Sequence, residues 1–408
     1  MEWKKYRLGD LACSIQTGPF GSQLHQSDYS SNGTPVIMPK DMMDGKISES
    51  SIARVADDHV ERLKRHKVKS GDVVYSRRGD VGRCVLITDK EDGWLCGTGC
   101  LKVELNEQKV LSSFLFYILQ RKDSVGWVEN HAVGSTMPNL NTGILSKLPV
   151  MLPTLKEQQR IASILSAYDK LIENNNKRIR ILEKLAENLY KEWFVRFRFP
   201  EHESVPMENG LPKGWRRVKI SKSLHTCSGG TPSRSHREYY DNGEIQWVKT
   251  GEIQDSVIIN TEECITELGV KKSSAKILPR NTLLLAMYGV NIGKVGILAQ
   301  NMACNQAACA FLPDNENSSF CYLFYFLKSI REYLLLIGFG AAQQNLSQAL
   351  IGNIRIVLPE KEVILQYESQ AGKIMDCITK IKVQNSNLAR QRDLLLPRLM
   401  SGKLEVKP

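Results

Sequence analysis

The chain has 408 residues, of which 42% are hydrophobic and 24% charged, and its formal net charge is +11 at pH 7. This length predicts two or three domains, each large enough to bury a core, and the composition is that of an ordinary soluble globular protein without an apolar run of the roughly 18 residues that a membrane span needs. The basic excess is typical of a protein that binds phosphates, although a merely basic surface would carry the same charge.

The cysteines indicate a reducing compartment. The chain has 10 of them, and its N-terminal segment lacks the basic, apolar and small-residue regions of a signal peptide. We therefore expect free thiols and a cytoplasmic location. Cys96 with Cys100 and Cys304 with Cys309 are closely spaced, but neither pair has a second Cys-x2-Cys or a His-x3-His segment nearby. We therefore expect no metal site.

The first half of the chain begins with strand and turn signals. WKKYRL is followed by Asn32-Gly33, a turn that leads into the apolar run PVIMPKDM. From Gly71, GDVVYSRRGDVGRCVLI predicts two strands joined by a glycine-bearing turn with basic residues. The run WLC and the amphipathic helix SFLFYILQR come next, and the half closes on NLNTGILSKLPVMLP, from Asn139 to Pro153.

A long helix is predicted after this closing segment. Neither Pro nor Gly interrupts the chain between Gln158 and Phe199, so the helix should be about 60 Å long at about 1.5 Å per residue. Steps of four and three residues, typical of a coiled coil, define a stripe along it. The stripe consists of Ile164, Tyr168, Leu171, Asn175, Arg178, Leu182, Leu185 and Leu189.

The second half repeats the first in the same order. After the polar, proline-bearing linker FPEHESVPMENGLPKGW, the pattern restarts with WRRVKI and continues through NGEIQWVKTGEI. RNTLLLAMYGVNIGKVGIL again predicts a strand, a glycine turn with a basic residue, and a strand, and a buried helix beginning with FCYLFYFLKS follows. NLSQALIGNIRIVLP, from Asn345 to Pro359, repeats the closing segment. Self-similarity at about 210 residues indicates a tandem duplication of one domain.

The second half also ends in a long helix, expected from about Lys361 to Leu396 with its end at Pro397. Its stripe consists of Ile374, Ile378, Ile381, Asn385, Leu388, Arg392, Leu395 and Leu399. The two stripes carry an asparagine at matching positions, Asn175 and Asn385. A polar residue on such a stripe can fix the register of a helix pair at a cost in stability, or it can lie at the edge of the stripe.

The repeat predicts how the helices pair. Each helix has one apolar stripe and a copy of itself in the same chain, so its simplest partner is its twin. Antiparallel pairing would place one globular domain at each end of a rod, related by a pseudo-twofold axis. The predicted fold class is α+β, with two tandem α/β domains separated by two long antiparallel coiled-coil helices. The predicted segments are residues 1–153, 154–199, 200–359 and 360–408, in the order domain, helix, domain, helix.

Signatures of catalysis are missing from the sequence. GVNIGK, at positions 289–294, resembles a phosphate loop but has three residues between its glycines where four are needed, and Val295 follows where Ser or Thr should hold magnesium. The chain has no Asn/Asp-Pro-Pro-Tyr/Phe, Gly-x-Ser-x-Gly or His-Glu-x-x-His segment. We therefore expect a chain that is not itself an enzyme.

Several segments resemble the specificity subunit of type I restriction-modification enzymes. The segments that carry the resemblance are TGPFGSQLHQSDY, LPTLKEQQRIASILSAYDKLIENNNKRIRILEKLAENLYKEWF, GGTPSRSHREYYDNGEIQWVKTGEI, YGVNIGKVGIL, the Asn305-Gln306 pair and LLLPRLMSGKL. They cover nearly the whole chain. The lead-in Leu-Pro-x3-Glu-Gln of the first long helix has no counterpart after Pro359, where EKEVILQYE follows.

The resemblance implies a DNA-recognition subunit with two target recognition domains, each recognising one half of a split site, held apart by the helices. It implies double-stranded DNA, two methyltransferase subunits and restriction-translocase subunits as partners. S-adenosylmethionine, ATP and magnesium would be bound by those partners, and this chain would hold no cofactor. The helix stripes would then form the spacer and the partner interface. A non-catalytic coiled-coil scaffold that binds only proteins is the alternative.

Base recognition in DNA needs Arg or Lys for guanine and Asn or Gln for adenine, displayed on loops that enter a groove. The candidates in the first domain are Gln23, Lys40, Arg77, Arg78, Arg83, Ser135, Thr136 and Asn139. Those in the second domain are Thr231, Ser233, Arg234, Lys249, Tyr288, Asn291, Lys294, Asn305, Gln306, Gln343, Gln344 and Asn345. The segments before the closing runs differ, HAVGSTMP against GFGAAQQ. We therefore predict an asymmetric, bipartite target whose half-sites lie more than one helical turn, about 34 Å, apart.

Overall fold

The computed structural model describes residues 3–21, 23–134, 138–313, 319–338, 345–401 and 404. The chain divides into two compact units, residues 1–170 with 389–408 and residues 171–388. Each unit contains one α/β domain together with segments of both long helices, so the division falls inside the helices. The bounds of the four predicted segments differ from this division and remain predictions.

The first domain contains two four-stranded sheets and a closing pair of strands. Strand Lys4–Arg7 pairs antiparallel with Pro149–Leu152, so the predicted closing segment returns to the start of the domain. The antiparallel sheet consists, in spatial order, of Ala12–Thr17, Cys100–Leu105, Val73–Ser76 and Cys84–Leu86. The mixed sheet consists of Leu95–Cys96, Thr34–Ile37, Ala53–Val55 and Tyr29–Ser30. The strands predicted from the apolar runs of the first half are confirmed.

The helices of the first domain pack on both sheets, with Val60 of one helix in the same cluster as Val36 and Val55 of the mixed sheet. The helices are Leu8–Leu11, Asp57–Val60, Ser112–Leu119, Lys122–His131 and Thr142–Leu145. Phe114, Leu115 and Ile118 of the predicted amphipathic helix are buried in the same cluster as Val73 and Leu101 of the sheet. Burial of this apolar face, rather than helix propensity, accounts for the stability of so short a helix.

The second domain repeats the plan. Strand Arg216–Lys219 pairs antiparallel with Arg355–Leu358. One sheet consists, in spatial order, of Thr226–Ser228, Ala308–Phe311, Leu283–Ala286, Val295–Leu298 and Ser256–Ile258, and the other of Cys264–Ile265, Ile245–Val248 and Ala303–Cys304. The helices are Ile220–Ser223, Glu267–Lys271, Phe320–Ser329, Arg331–Gly338 and Gln348–Asn353. The helix predicted from Phe320 is confirmed as largely buried, but it is interrupted at Ile330.

Two long helices are present, as predicted. The first long helix, Leu155–Tyr190, continues into a π-helical turn at Lys191–Val195, and the second long helix is Lys361–Met400. The predicted end at Pro397 is wrong, because the helix passes through this residue and the N–H of Ser401 donates to Pro397 O at 3.1 Å. Proline has no N–H, so it removes one backbone hydrogen bond of the helix. Only one turn of helix follows Pro397, so the missing bond interrupts little regular structure.

In the second unit, the two helix segments run antiparallel. Asn175 Nδ2 donates to Asn385 Oδ1 at 2.9 Å, and farther along the first long helix the Trp193 ring lies 5.7 Å from the ring of Tyr367. Partner numbers therefore fall as residue numbers rise. Asn175 is buried and also donates to Gln384 Oε1 at 3.1 Å, which places this asparagine inside the stripe rather than at its edge. A satisfied polar pair at one level of an apolar stripe favours a single register.

The first unit contains the same antiparallel arrangement. Ile161 and Leu165 share a core with Leu399, and Arg392 donates to Asp169 Oδ1 at 2.6 Å. The antiparallel helix segments and the repeated α/β domain confirm the predicted fold class.

The predicted stripe of the first long helix is partly wrong. Leu171 and Leu185 are 51% and 53% exposed, and Arg178 is exposed as well. The residues one position later are less exposed, namely half-buried Ile172 and buried Ile179 and Ala186. Ile179 and Ala186 share a core with Ile378 of the second long helix. A shift of one residue along a helix rotates the stripe by about 100° around the helix axis. The four-and-three stepping therefore fits the predicted face and the buried face equally well. A role of Leu171 and Leu185 in binding a partner remains a prediction.

The other stripe residues are buried or half-buried. In the first long helix they are Ile164, Tyr168, Asn175, Leu182 and Leu189, and in the second they are Ile374, Ile378, Ile381, Asn385, Leu388, Arg392, Leu395 and Leu399. The predicted stripe of the second long helix thus contains no exposed residue, and its role as a spacer and partner interface remains a prediction.

Alkaline pH should destabilise the protein. Burial raises the pKa of the Cys84, Cys96, Cys304 and Cys309 thiols from 9.0 to about 12. Below pH 9.0 these thiols are protonated in both the folded and the unfolded chain, so their contribution to the free energy of unfolding is constant. Between pH 9.0 and about 12 only the unfolded chain ionises, so the free energy of unfolding falls as the pH rises. Each thiol should cost about 1.4 kcal/mol per pH unit in this window.

Urea unfolding between about pH 8 and pH 10.5 tests this expectation, since the window lies on both sides of the ordinary thiol pKa. The free energy of unfolding should fall, and Cys84→Ala should reduce the fall. Cys13→Ser is the control, because Cys13 is exposed in the folded protein. A free energy of unfolding that is constant over this window would contradict the expectation.

Candidate nucleic-acid interface

Three of the first-domain candidates lie on one turn, residues 77–83, which joins two adjacent strands of the antiparallel sheet and is called here the first recognition turn. The N–H of Arg77 donates to Gly99 O at 2.7 Å, and Arg77 O accepts from the N–H of Leu140 at 2.9 Å. Leu140 belongs to the closing segment. The backbone of Arg77 is therefore fixed between two other loops.

The side chain of Arg77 is held on two sides. Its Nε donates to Asn139 Oδ1 at 3.1 Å, and its guanidinium carbon lies 5.8 Å from the centre of the Phe20 ring, within the range of a cation–π contact. Asn139 is itself fixed by backbone pairing with Val133 and Arg78. The structure thus brings the predicted residues Arg77 and Asn139 into direct contact.

Arg78 and Arg83 lie on the same turn and are exposed. Arg83 forms an ion pair with Asp80 at 2.6 Å and donates to Met42 O at 3.3 Å. Exposed pairs of this kind contribute little to stability, so the guanidinium can exchange Asp80 for a phosphate at little cost.

Gln23 and Lys40 have local roles away from the recognition turn. Gln23 Oε1 accepts from the N–H of Phe20 at 3.2 Å and stabilises the loop that carries this ring. Lys40 is exposed, and its Nζ donates to Ser51 O at 3.0 Å. Gln23 thus belongs to the loop of Phe20, but its side-chain oxygen is used by the backbone of that loop.

The second domain has a corresponding turn, residues 287–294, called here the second recognition turn. The N–H of Met287 donates to Ala307 O at 2.9 Å, and Met287 O accepts from the N–H of Leu346 at 3.0 Å. Leu346 follows Asn345 as Leu140 follows Asn139, so Met287 occupies the position that Arg77 has in the first domain.

The tips of the two turns differ in chemistry. Gly79 and Gly289 both have a positive φ, 72° and 77°, which indicates the same left-handed bend. The next residue is Asp80 in the first turn and Val290 in the second, and Val290 is 97% exposed. Tyr288 beside it is also exposed. One turn therefore presents charge where the other presents apolar surface.

Arg234 and Lys249 of the second domain belong to an ion network. Arg234 pairs with Glu263 at 2.7 Å and lies 4.3 Å from the centre of the Tyr240 ring. Lys249 Nζ pairs with Glu262 at 2.9 Å and with Glu263 at 3.1 Å. The hydrogen bonds to Glu262 and Glu263 raise the pKa of Lys249 above its ordinary value. Two glutamates thus offset the charge of two candidate DNA-binding residues.

The prediction that Asn291 is displayed for base recognition is wrong. Asn291 is 4% exposed, and its Nδ2 donates to Thr250 O and Gly251 O, both at 3.0 Å. A side-chain amide that satisfies two buried carbonyls joins two loops and is not available to a base. Lys294 on the same turn is half-buried and donates to Gln254 Oε1 at 2.6 Å.

The remaining candidates of the second domain lie on neighbouring loops. Thr231 and Gln306 are exposed and hydrogen-bonded to each other, and Ser233 is hydrogen-bonded to Ser235 at 2.7 Å. Asn305 Oδ1 is buried and has no hydrogen-bond partner among the described residues. An unpaired buried oxygen of this kind can accept a hydrogen bond after a small movement of its loop.

The segments just before the closing runs are only partly described. Asn345 is exposed, and its N–H donates to Gly338 O at 3.3 Å. Ser135, Thr136, Gln343 and Gln344 lie outside the described residues. Each closing segment begins beside a recognition turn, where the N–H of Leu140 donates to Arg77 O or that of Leu346 to Met287 O, and it continues through a short helix to the strand before a long helix.

Three residues on or beside the recognition turns were not indicated by the sequence, namely Met287 and Val290 on the second turn and Phe20 on the loop beside the first. Apolar residues on glycine-rich turns are ordinarily interpreted as packing residues, so composition gave no reason to select them. Phe20 is 52% exposed beside Arg77, and an exposed aromatic ring next to an arginine is the signal that could have identified it.

Neither a metal centre nor a membrane span is found in the described part of the chain. No group of three or more His, Cys, Asp or Glu side chains there is arranged to hold a metal ion. None of the described helices combines the length and the apolarity that crossing a membrane requires.

Comparison with known proteins identifies what the chain is similar to. The family model described as the type I restriction modification DNA specificity domain matches residues 1–184 and again residues 212–390. The specificity subunit of the type I restriction enzyme HindI from Haemophilus influenzae is 25% identical over 99% of this chain and 100% of its own length. The MjaIX specificity subunit from Methanocaldococcus jannaschii is 26% identical over 93% of this chain and 89% of its own.

The fold is also similar to a solved structure. The S subunit of a type I restriction-modification system from M. genitalium superimposes with a TM-score of 0.62, at 18% identity, over 98% of this chain and 96% of its own. The likeness supports a repeated domain with long helices as the common architecture.

Proposed function

Because the chain belongs to the type I restriction modification DNA specificity family, we propose that its two domains recognise the two unlike halves of an asymmetric, bipartite DNA site. The chain is a specificity subunit of a type I restriction-modification system. The observation that carries the proposal is the pair of corresponding turns, in which the same backbone position has a half-buried arginine, Arg77, in one domain and a buried methionine, Met287, in the other.

Specificity subunits of type I systems assemble with other subunits and with DNA. For this chain, the proposed partners are two methyltransferase subunits and the restriction-translocase subunits, with the long helices as the assembly surface. The exposed Leu171 and Leu185 support this proposal, because large apolar side chains on a charged helix are suited to contact with another subunit. S-adenosylmethionine, ATP and magnesium would be bound by the partners, the chain would be non-catalytic, and its location would be cytoplasmic.

Binding of the reconstituted methyltransferase complex to duplex DNA tests the proposal. If Lys and Arg side chains neutralise several phosphates, raising the salt from about 50 to about 200 mM should weaken binding about 1,000-fold. Arg78→Ala and Lys294→Ala then separate two roles. A base contact should cost about 1–3 kcal/mol and relax one position, whereas a phosphate contact should weaken all sequences alike and lower the salt slope by about one unit.

The rival interpretations predict different results. A coiled-coil scaffold that binds only proteins would show no salt-dependent affinity for duplex DNA. A chain with its own catalytic activity would transfer a radiolabelled methyl group from S-adenosylmethionine without partners. Either result, obtained with folded and assembled protein, would refute the proposed function.

A further inference from the structure

We propose that Arg77 recognises a guanine in the half-site of the first domain through its two terminal nitrogens, positioned by Asn139 and Phe20, and that the second domain has no equivalent contact. The inference rests on the proposed function and assigns one base-specific contact to one residue. Bidentate donation from arginine to O6 and N7 is the commonest specific contact to guanine in the major groove.

The backbone of Arg77 is fixed before DNA binds. Hydrogen bonds to Gly99 and Leu140 hold it from both sides, at 2.7 and 2.9 Å. Arg77 therefore lies where the recognition turn, the loop before the neighbouring strand Cys100–Leu105 and the closing segment meet. A residue fixed by three segments can orient its side chain more accurately than one at a free loop tip.

The hydrogen bond to Asn139 leaves a defined part of the guanidinium free. Nε donates to Asn139 Oδ1 at 3.1 Å, so the face of the fork that includes Nε is occupied. The terminal nitrogens Nη1 and Nη2 form no hydrogen bond among the described residues. These two donors lie at the end of the fork and match the two acceptors on the major-groove edge of guanine.

The loop of Phe20 places an aromatic ring 5.8 Å from the guanidinium carbon of Arg77. The Phe20 ring is 52% exposed, and the loop is fixed by hydrogen bonds from Gly18 N–H to Cys100 O at 2.9 Å and from Thr98 Oγ1 to Pro19 O at 3.0 Å. A β-carbon at Gly18 would lie 2.0 Å from the carbonyl oxygen of Gly97, so only glycine permits this approach. These contacts hold the Phe20 ring beside Arg77, and the ring restricts the rotamers that the Arg77 side chain can adopt.

Comparison of the two domains argues against a general phosphate contact at this position. Both domains have the same backbone hydrogen bonds here, but Met287 is 3% exposed and its side chain has no hydrogen-bond donor. A phosphate contact required for docking would be needed at both half-sites, because every half-site has the same backbone. A base contact is needed only where the sequence calls for it.

Arg77→Met tests the inference and introduces the residue that the second domain already has at this position. The assay is binding or methylation by the complex with the methyltransferase subunits, on duplexes in which each base pair of the cognate site is changed in turn. Arg77→Met should lose roughly 10- to 100-fold of discrimination at one G·C pair of one half-site and leave the other half-site unchanged. Lys147→Met, which removes one positive charge from an exposed position of the same domain that is not among the candidate DNA contacts, is the control and should keep the discrimination.

Arg77→Lys provides a second, independent test. Lysine keeps the charge but lacks the planar fork, so discrimination at the same pair should again fall, whereas a phosphate contact would survive this change. Equal weakening of all duplexes by Arg77→Met, together with near-normal binding by Arg77→Lys, would overturn the inference, as would unchanged discrimination in both variants. Thermal unfolding and subunit assembly of both variants show that any loss is not a loss of folding.

Failure of the inference and failure of the proposed function are distinguishable. If the wild-type complex itself shows no sequence preference, the proposed function is wrong. If the wild type is specific and Arg77→Met is equally specific at every position, only the role of Arg77 is wrong.

Discussion

Replacing Ile179 by aspartate should lower the free energy of unfolding of the second compact unit by about 4 kcal/mol or more. Ile179 is 7% exposed and shares a core with Ile378 and Ile381 of the second long helix. An aspartate there removes apolar burial and buries a carboxyl group without a partner. The loss should abolish pairing of the two helices and therefore also assembly with other subunits.

Leu185→Asp is the matched control on the same helix, six residues farther along. Leu185 is 53% exposed, so aspartate at this position should change the free energy of unfolding by no more than about 0.5 kcal/mol. Urea unfolding of the two variants measures both effects. If Leu185→Asp proved as destabilising as Ile179→Asp, the inward face of the helix would be the one predicted from the sequence. A Leu185→Asp variant that is stable but does not bind the methyltransferase subunits would support the proposed partner surface.

Replacing Tyr367 by alanine should cost about 3–5 kcal/mol of folding free energy. Tyr367 is fully buried on the second long helix, and its ring lies 4.7 Å from that of Phe194 and 5.7 Å from that of Trp193. These two aromatic residues belong to the π-helical turn at the end of the first long helix. Alanine would leave a cavity at the point where this turn packs, and thermal unfolding should show it as a large fall in the midpoint.

Tyr367→Phe should leave the folded protein as stable as the wild type, or slightly more stable. The hydroxyl of Tyr367 is buried and has no hydrogen-bond partner within the described ranges. Removing an unpaired hydroxyl while keeping the ring should leave the free energy of unfolding unchanged or raise it by about 1 kcal/mol. If Tyr367→Phe were as destabilising as Tyr367→Ala, the hydroxyl would have an essential partner, and the packing explanation would be wrong.

The repeat and the closing strands could be predicted from the sequence because they are encoded locally. Asn139 to Pro153 and Asn345 to Pro359 match at both ends, and alternating apolar residues in each predict a half-buried strand. The structure shows each strand pairing with the first strand of its domain, Lys4–Arg7 or Arg216–Lys219. The pairing itself was not predictable, since it joins residues far apart in sequence.

The face of the first long helix could not be decided from the sequence. Leu171 and Leu185 continue the four-and-three stepping as well as Ile172, Ile179 and Ala186 do. In the structure the second set is the less exposed one, and Ile179 and Ala186 share a core with Ile378 of the second long helix. A leucine that faces the protein core and a leucine that another subunit could cover look the same in the sequence. The inward face of the helix is therefore known only when the packing of the helix is known.

The recognition turns show the same limit at the level of single residues. Asn291 was a reasonable candidate because asparagine on a glycine-rich turn is typical of base recognition, yet its amide is used by the carbonyls of Thr250 and Gly251. Arg77 and Asn139 were selected as separate candidates, and their contact depends on the closing segment returning beside the turn. Local composition identified the turns, but tertiary contacts decide which side chains are free.

The central claim is that two domains of one chain recognise two unlike half-sites. Sequencing of methylated adenines in DNA from cells that contain this subunit and its methyltransferase partner tests it most directly. The result we predict is one motif with two defined, different half-sites separated by an unspecified spacer. A palindromic motif, a single continuous motif, or methylation that does not depend on this chain would contradict the claim.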